Sequence, residues 1–291
     1  MRFQISNLKS QLHSLRAAFF FLAFCLLPLA VSVAQPRLAV LDFQGEGAAS
    51  AHLRTLVSHS EFTLVDAEQM NVALKGAGYN GSLNLTRDEA RALGLSIGCD
   101  YYFIGVAKIL RRLAGAEGFY FDVMIGAFLV ETRSGQLLRF SFEQAQVAKE
   151  SLTQKQLAEF AETIWRQSAD AIKSAPQGIA DNQPTELYDL ASEEAIKLQI
   201  KPPQFYRRLK PAYTETAALA GILATIELNV VFQADGRIGT VEVLRWGGFG
   251  LDESALTTVK QLRFEPAKLQ GRPVSVRAVV QYNFRQEEKG K

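Results

Sequence analysis

Gly76-Ala77-Gly78-Tyr79-Asn80-Gly81 has the Gly-x-Gly-x-x-Gly spacing with which a loop approaches a dinucleotide pyrophosphate. That chemistry needs the glycines between a strand and a helix, so that the helix N-terminus meets the phosphates. Here they follow the helical pattern Ala67–Lys75, and a helix stop with a loop is expected instead. His52 and His59 stand seven apart on one helix with Cys99 distant, which is not a zinc-ligand spacing. No serine or cysteine has a nearby base with an orienting acid. The expectation is therefore a protein with no catalytic, cofactor or metal residue and no cofactor. What remains is the pattern of a small sheet covered on one side only and ending in edge strands, an interaction module rather than an enzyme.

The elements that could present such an edge occupy the last stretch. Ile222, Ala224, Ile226, Leu228, Val230 and Phe232 alternate with Leu223, Thr225, Glu227, Asn229 and Val231. Val274, Val276, Ala278, Val280, Tyr282 and Phe284 alternate in the same way with Ser275, Arg277, Val279, Gln281 and Asn283. Period two gives each strand one apolar face. Asp235-Gly236 supplies a tight hairpin turn into a second strand, Ile238–Trp246. A helix from about Asp252 puts Leu251, Ala255, Val259 and Leu262 on one face. The hairpin makes the first two strands antiparallel, and one helical crossover returns the third in the direction of the second. The third can be antiparallel only to the first. The order is then 2-1-3, a three-stranded antiparallel sheet packed on one helix, with Val274–Phe284 at an edge.

The preceding chain divides by composition. Met1–Ala34 has Arg2, Lys9 and Arg16, no acid, and an apolar run Ala17–Val31. Ser32-Val33-Ala34 suits cleavage between Ala34 and Gln35, so 1–34 is expected as a signal peptide, the alternative being an uncleaved anchor. Removing it leaves 29 basic against 30 acidic residues, with no field to attract nucleic acid. Export then implies a location outside the cytoplasm, or anchoring in the membrane if the leader stays. Residues 37–174 read as a mixed-sheet α/β domain: a strand Leu38–Phe43, a helix Ser50–His59, and a short strand Phe62–Val65. A helix capped by Asp66 and one opened by a Thr86/Glu89 capping box follow. Strands Tyr101–Leu110, Tyr120–Val130 and Leu137–Gln146 lead to a long helix with Ser151 and Gln154 at capping spacing. Ala175-Pro176-Gln177-Gly178 breaks that helix, and 175–210 reads as a linker with a short helix over Glu186–Leu198. A domain over 211–285 and a tail over 286–291 complete the chain, in an α+β / α/β class overall.

Two stretches carry motifs of known families. Asp235-Gly236-Arg237, Gly248-Phe249-Gly250-Leu251-Asp252-Glu253-Ser254-Ala255-Leu256, Arg263-Phe264-Glu265-Pro266-Ala267 and Gly271-Arg272-Pro273-Val274-Ser275-Val276 follow one another in order. In this order they resemble the C-terminal domain of the TonB energy-transducer family. Leu41-Asp42-Phe43, the run Gly94–Gly105 ending in Asp100-Tyr101-Tyr102-Phe103-Ile104-Gly105, and Thr132-Arg133-Ser134-Gly135-Gln136-Leu137-Leu138 resemble the α/β domain of CsgG- and LpoB-type envelope proteins. The TonB resemblance implies a periplasmic domain that binds an extended segment of an outer-membrane transporter by strand addition. The residues of that edge are Val274, Ser275, Val276, Arg277, Ala278, Val279, Val280, Gln281, Tyr282, Asn283 and Phe284. The second resemblance implies, as an alternative, an accessory scaffold for outer-membrane secretion or cell-wall assembly. Outer-membrane transporters or other envelope proteins are the implied partners, and self-association into a homo-oligomer stays open. Ala17–Ala34 lacks the histidine face of classical transducers, and a proline-rich spacer is missing. Both absences argue against coupling to an inner-membrane motor complex.

Overall fold

A computed structural model describes residues 35–115, 118–174 and 186–285. The expected leader, the cleavage position at Ala34, residues 175–185 of the expected linker and the 286–291 tail lie outside them. Among the described residues, no helix is long and apolar enough to cross a membrane.

The chain opens with β1 (Arg37–Val40), β2 (Gln44–Gly45), α1 (Gly47–Ser58), β3 (Thr63–Leu64), α2 (Ala67–Gly76) and α3 (Arg87–Ile97). Asp66 accepts from the N–H groups of Glu68 and Gln69, and Thr86 with Glu89 forms the complete capping box. Then come β4 (Tyr101–Leu113), β5 (Phe119–Glu131), β6 (Leu137–Val147) and α4 (Thr153–Ser174). Ser151 does not cap α4, because Glu150–Leu152 forms a 3-10 turn that runs into it. The sheet order is β3-β1-β4-β5-β6, with β2 beside β4. β1 is parallel to β3 and β4, while β4, β5 and β6 are antiparallel, so the sheet is mixed.

Both faces of this sheet are covered, as the unbroken apolar run of β5 requires. On one face α1 and α4 bury Leu53, Val57, Leu157, Ala161 and Ile164 against Phe103, Ile125 and Leu129. On the other, α2 and α3 share a core with the C-terminal half of the chain. That half contains β7 (Tyr188–Asp189), α5 (Glu193–Lys197), β8 (Gln204–Phe205), α6 (Glu215–Ala220) and β9 (Ala224–Phe232). It continues through β10 (Ile238–Arg245), α7 (Leu251–Lys260), β11 (Phe264–Glu265), β12 (Lys268–Leu269), β13 (Arg272–Pro273) and β14 (Val276–Phe284).

The second sheet runs β10-β9-β14-β7. The expected central position of the first strand holds, and a fourth strand, β7, is added beyond the expected three. Ile226, Leu228 and Val230 of β9 are fully buried against Leu251, Ala255 and Val259 of α7. The 186–210 stretch, expected as linker with a helix from Glu186, holds β7, the short α5 and β8, which pairs with β11. Ala195 and Ile200 bury there, so the stretch lies along the C-terminal half as a strap.

Phe249 is one of the side chains through which the two halves interlock. Phe249, on the loop between β10 and α7, is 1% exposed and lies 4.7 to 6.1 Å from the rings of Phe128, Phe140 and Phe142 on β5 and β6. Gly126 makes the socket, since a Cβ there would lie 2.6 Å from the Phe249 ring. Phe249 itself has φ 54°, a left-handed conformation that costs a non-glycine residue about 1 kcal/mol.

Asp252 holds that loop. Its carboxylate accepts from the N–H groups of Gly247 and Gly248 at 2.9 and 2.7 Å. Burial pushes its pKa from 3.8 up to about 6, outweighing the pull of the two donors. An acid whose pKa is higher in the folded state favours folding fully below its unfolded pKa. That contribution is lost as pH rises through the folded value, here about 6. Asp252→Asn is therefore expected to remove on the order of 2 kcal/mol of stability loss between about pH 4.5 and pH 7. Urea midpoints of the variant and the natural protein at both pH values measure it.

Candidate functional site

β14 pairs along its whole length with β9, from Val276 opposite Phe232 to Phe284 opposite Ala224. Its inner face follows from the alternation in the sequence. Val276 and Phe284 are buried, and Ala278, Val280 and Tyr282 are half-buried beside the core. Burial raises the Tyr282 phenol above its usual range. The outer residues Val279, Gln281 and Asn283 are exposed, Val279 by 56%.

The backbone decides what the edge can do. A strand residue turns its N–H and C=O to the same side, and successive residues alternate. The carbonyls of Ser275 and Arg277 accept from the N–H groups of Tyr188 and Leu190, at 3.1 and 3.0 Å, on the side away from β9. By alternation Val279, Gln281 and Asn283 turn their N–H and C=O groups to that same side. β7 covers only Val276 and Arg277, so beyond them the edge carries no strand among the described residues. Three donors and three acceptors stand in a row, which is the template for an added strand.

The expected eleven-residue edge is thus divided. Val274 and Ser275 precede β14, and the Val274 N–H donates to Ala267 O at 2.9 Å. Val276 and Arg277 pair with β7. Ala278, Val279, Val280, Gln281, Tyr282, Asn283 and Phe284 form the open part. Period-two patterning could not show this division, because β7 lies in a stretch with no strand signal of its own.

The side chains around the open part are polar on the outer face. Thr225 Oγ1 donates to Asn283 Oδ1 at 2.8 Å, and Gln281 Nε2 reaches the same oxygen at 3.4 Å. Arg277 Nε is buried without a hydrogen-bond partner among the described residues. At the Phe284 end a groove of about 410 Å³ is lined by Asn84, Leu223, Thr225, Asn283 and Arg285.

The opposite edge of the sheet, along β10, is closed by the first half of the chain. Thr86 bridges to Arg245 at the end of β10, and Arg87 pairs with Glu242. Asn84 donates to Thr225 O at 2.9 Å and to Trp246 O, and accepts from Thr225 N–H at 3.0 Å. Its amide stands where a neighbouring strand would continue beside β9. One edge of the sheet is therefore tied to the protein's own body while the other presents unpaired backbone.

The residues first weighed for other chemistry sit apart from this edge. Gly76–Gly81 ends α2 and enters a loop. His59 Nδ1 lies 2.7 Å from Thr55 O on its own helix. Cys99 is buried, and burial pushes its thiol up to about 11, which disfavours the thiolate.

Residues 210–286 match the model of the Gram-negative bacterial TonB protein C-terminal, as the four ordered motifs led one to expect. Among solved structures, the Pseudomonas aeruginosa TonB C-terminal domain is similar at 22% identity, covering 35% of this chain and 96% of that one, with a TM-score of 0.27. The LpoB C-terminal domain from Salmonella enterica is similar at 18% identity, covering 43% and 92%, with a TM-score of 0.29. Lipoprotein GNA1162 from Neisseria meningitidis is similar at 13% identity, covering 46% and 99%, with a TM-score of 0.32. No curated protein matches the chain.

Proposed function

We propose that the TonB C-terminal domain at residues 210–286 makes this chain a non-catalytic periplasmic binding protein of the bacterial envelope. Its open edge, Ala278–Phe284, takes up an extended segment of an outer-membrane transporter by strand addition. The observation that carries this reading is the row of outward N–H and C=O groups on Val279, Gln281 and Asn283, set on a domain of that family. Main-chain bonds supply the affinity in this mode, and alternate side chains supply the selectivity. Val280 and Tyr282 offer apolar surface on the inner side, and Gln281 and Asn283 offer polar groups on the outer side. The first half supplies a base by holding the β10 edge of the sheet through Asn84 and Arg87 and the adjoining loop through Phe249.

Val279→Pro tests the reading. The Val279 N–H points away from β9, so proline removes an outward donor and no internal ladder bond. In cells that carry this variant, uptake of a large outer-membrane substrate is expected to fall sharply while the purified protein keeps its melting temperature within a few degrees. Normal uptake with a folded variant would overturn the reading. Deleting the whole domain is a poorer test, because it would bare Phe128, Phe140 and Phe142 on the first sheet.

A further inference from the structure

We propose that Glu186–Leu190 is a resident placeholder on the partner edge, which an incoming segment displaces to occupy all of β14. The inference rests on the strand-addition reading above and adds a competitor in the same chain. β7 occupies one end of the edge that would receive the partner, parallel to β14, with Tyr188 opposite Val276 and Asp189 opposite Arg277. Tyr188 and Leu190 turn onto the apolar core while Asp189 between them is exposed. The resident segment therefore states what the edge accepts: a parallel extended chain with apolar residues at alternate positions and a polar one between.

Its hold is slight. It is a two-residue strand with two donated N–H groups, from Tyr188 and Leu190. The chain turns away immediately after Leu190, where Asp189 Oδ1 accepts from Ala191 N–H at 2.8 Å and Ser192 caps α5. Downstream the strap is fixed independently, by the Lys201–Lys268 bridge and by β8 beside β11. Release of Glu186–Leu190 thus breaks no other strand pairing. It frees Ser275 and Arg277, which lengthens the outward row from three residues to five. Breaking these two bonds from Tyr188 and Leu190, together with the ladder bond that Arg277 N–H donates to Tyr188 O, corresponds to roughly tenfold or more in affinity for any segment that must compete with them.

The test uses two full-length variants in a Cys25→Ser background, where buried Cys99 is the only other thiol. Tyr188→Pro with Leu190→Pro removes both donors and opens the edge. Asp189→Cys with Arg277→Cys places thiols on directly paired positions, about 4.8 Å apart between neighbouring strands and within disulfide reach. The probe is a phage-displayed library of random ten-residue peptides, selected on the opened protein. Enriched peptides are expected to bind the natural chain about tenfold more weakly. They should lose binding to the oxidised lock, regain it on reduction, and fail on an opened protein that also carries Val279→Pro. Equal binding to the opened and oxidised proteins would overturn the placeholder and leave strand addition standing. Peptides indifferent to Val279→Pro, or no enrichment at all, would overturn the strand-addition reading and the placeholder with it.

Discussion

Phe249→Ala is expected to destabilise the folded body by about 3–5 kcal/mol, the range for truncating a buried aromatic ring. The ring is almost wholly buried and meets three phenylalanines that belong to the other half of the molecule. Truncation leaves a cavity that cannot close readily. The loop is pinned by Asp252 on one side, while Thr216 Oγ1 donates to Phe249 O at 2.8 Å on the other. The relaxation available to alanine at a left-handed φ is small and does not offset the lost contacts. Gly126→Ala supplies an internal check. Its added Cβ collides with the Phe249 ring and should cost about 1–3 kcal/mol in the natural protein. The same change should be close to neutral when Phe249 is already alanine. Urea denaturation of the four proteins in this cycle measures the coupling. Additive effects would mean that Phe249 does not fill the Gly126 socket.

Asn84→Ala is expected to cost about 2–3 kcal/mol through unpaired backbone groups rather than lost packing. Asn84 is the partner of two groups on Thr225 and also binds Trp246 O, so alanine strands three polar atoms at the closed edge of the sheet. Asn84→Asp separates this cause from packing, because it preserves shape. The carboxylate keeps an acceptor for Thr225 N–H but opposes two carbonyl oxygens. It should be at least as destabilising as alanine at neutral pH, and thermal melts of the two variants rank them. An aspartate variant as stable as the natural protein would remove Asn84 from its role beside β9.

Much of this was legible in the residues. Alternation from Ile222 to Phe232 and from Val274 to Phe284 located β9 and β14. Chain direction alone then placed β9 between its neighbours. Local chemistry also located the Asp66 cap and the Thr86/Glu89 box, since such bonds close within three residues. Contacts between distant residues were not legible. Phe249 stands in a glycine-rich loop whose motif describes its own domain, and nothing nearby in sequence names Phe128, Phe140 or Gly126 as its socket. Tyr188–Asp189 is too short to show a period. It becomes a strand only because β14 offers unpaired carbonyls and the core accepts Tyr188 and Leu190. Asn84 gave no signal either, because its partners lie some 140 to 160 positions away.

The central claim is that the outward edge of β14 receives a partner's extended segment. A photo-reactive benzoylphenylalanine at position 279, in cells, reports this directly, with position 72 on α2, which is more exposed, as a control away from the second sheet. The expected result is a cross-link from position 279 to a periplasm-facing segment of an outer-membrane protein, lost when Gln281→Pro removes the neighbouring outward donor. Cross-links from position 279 that are absent, or that match those from position 72, would contradict it.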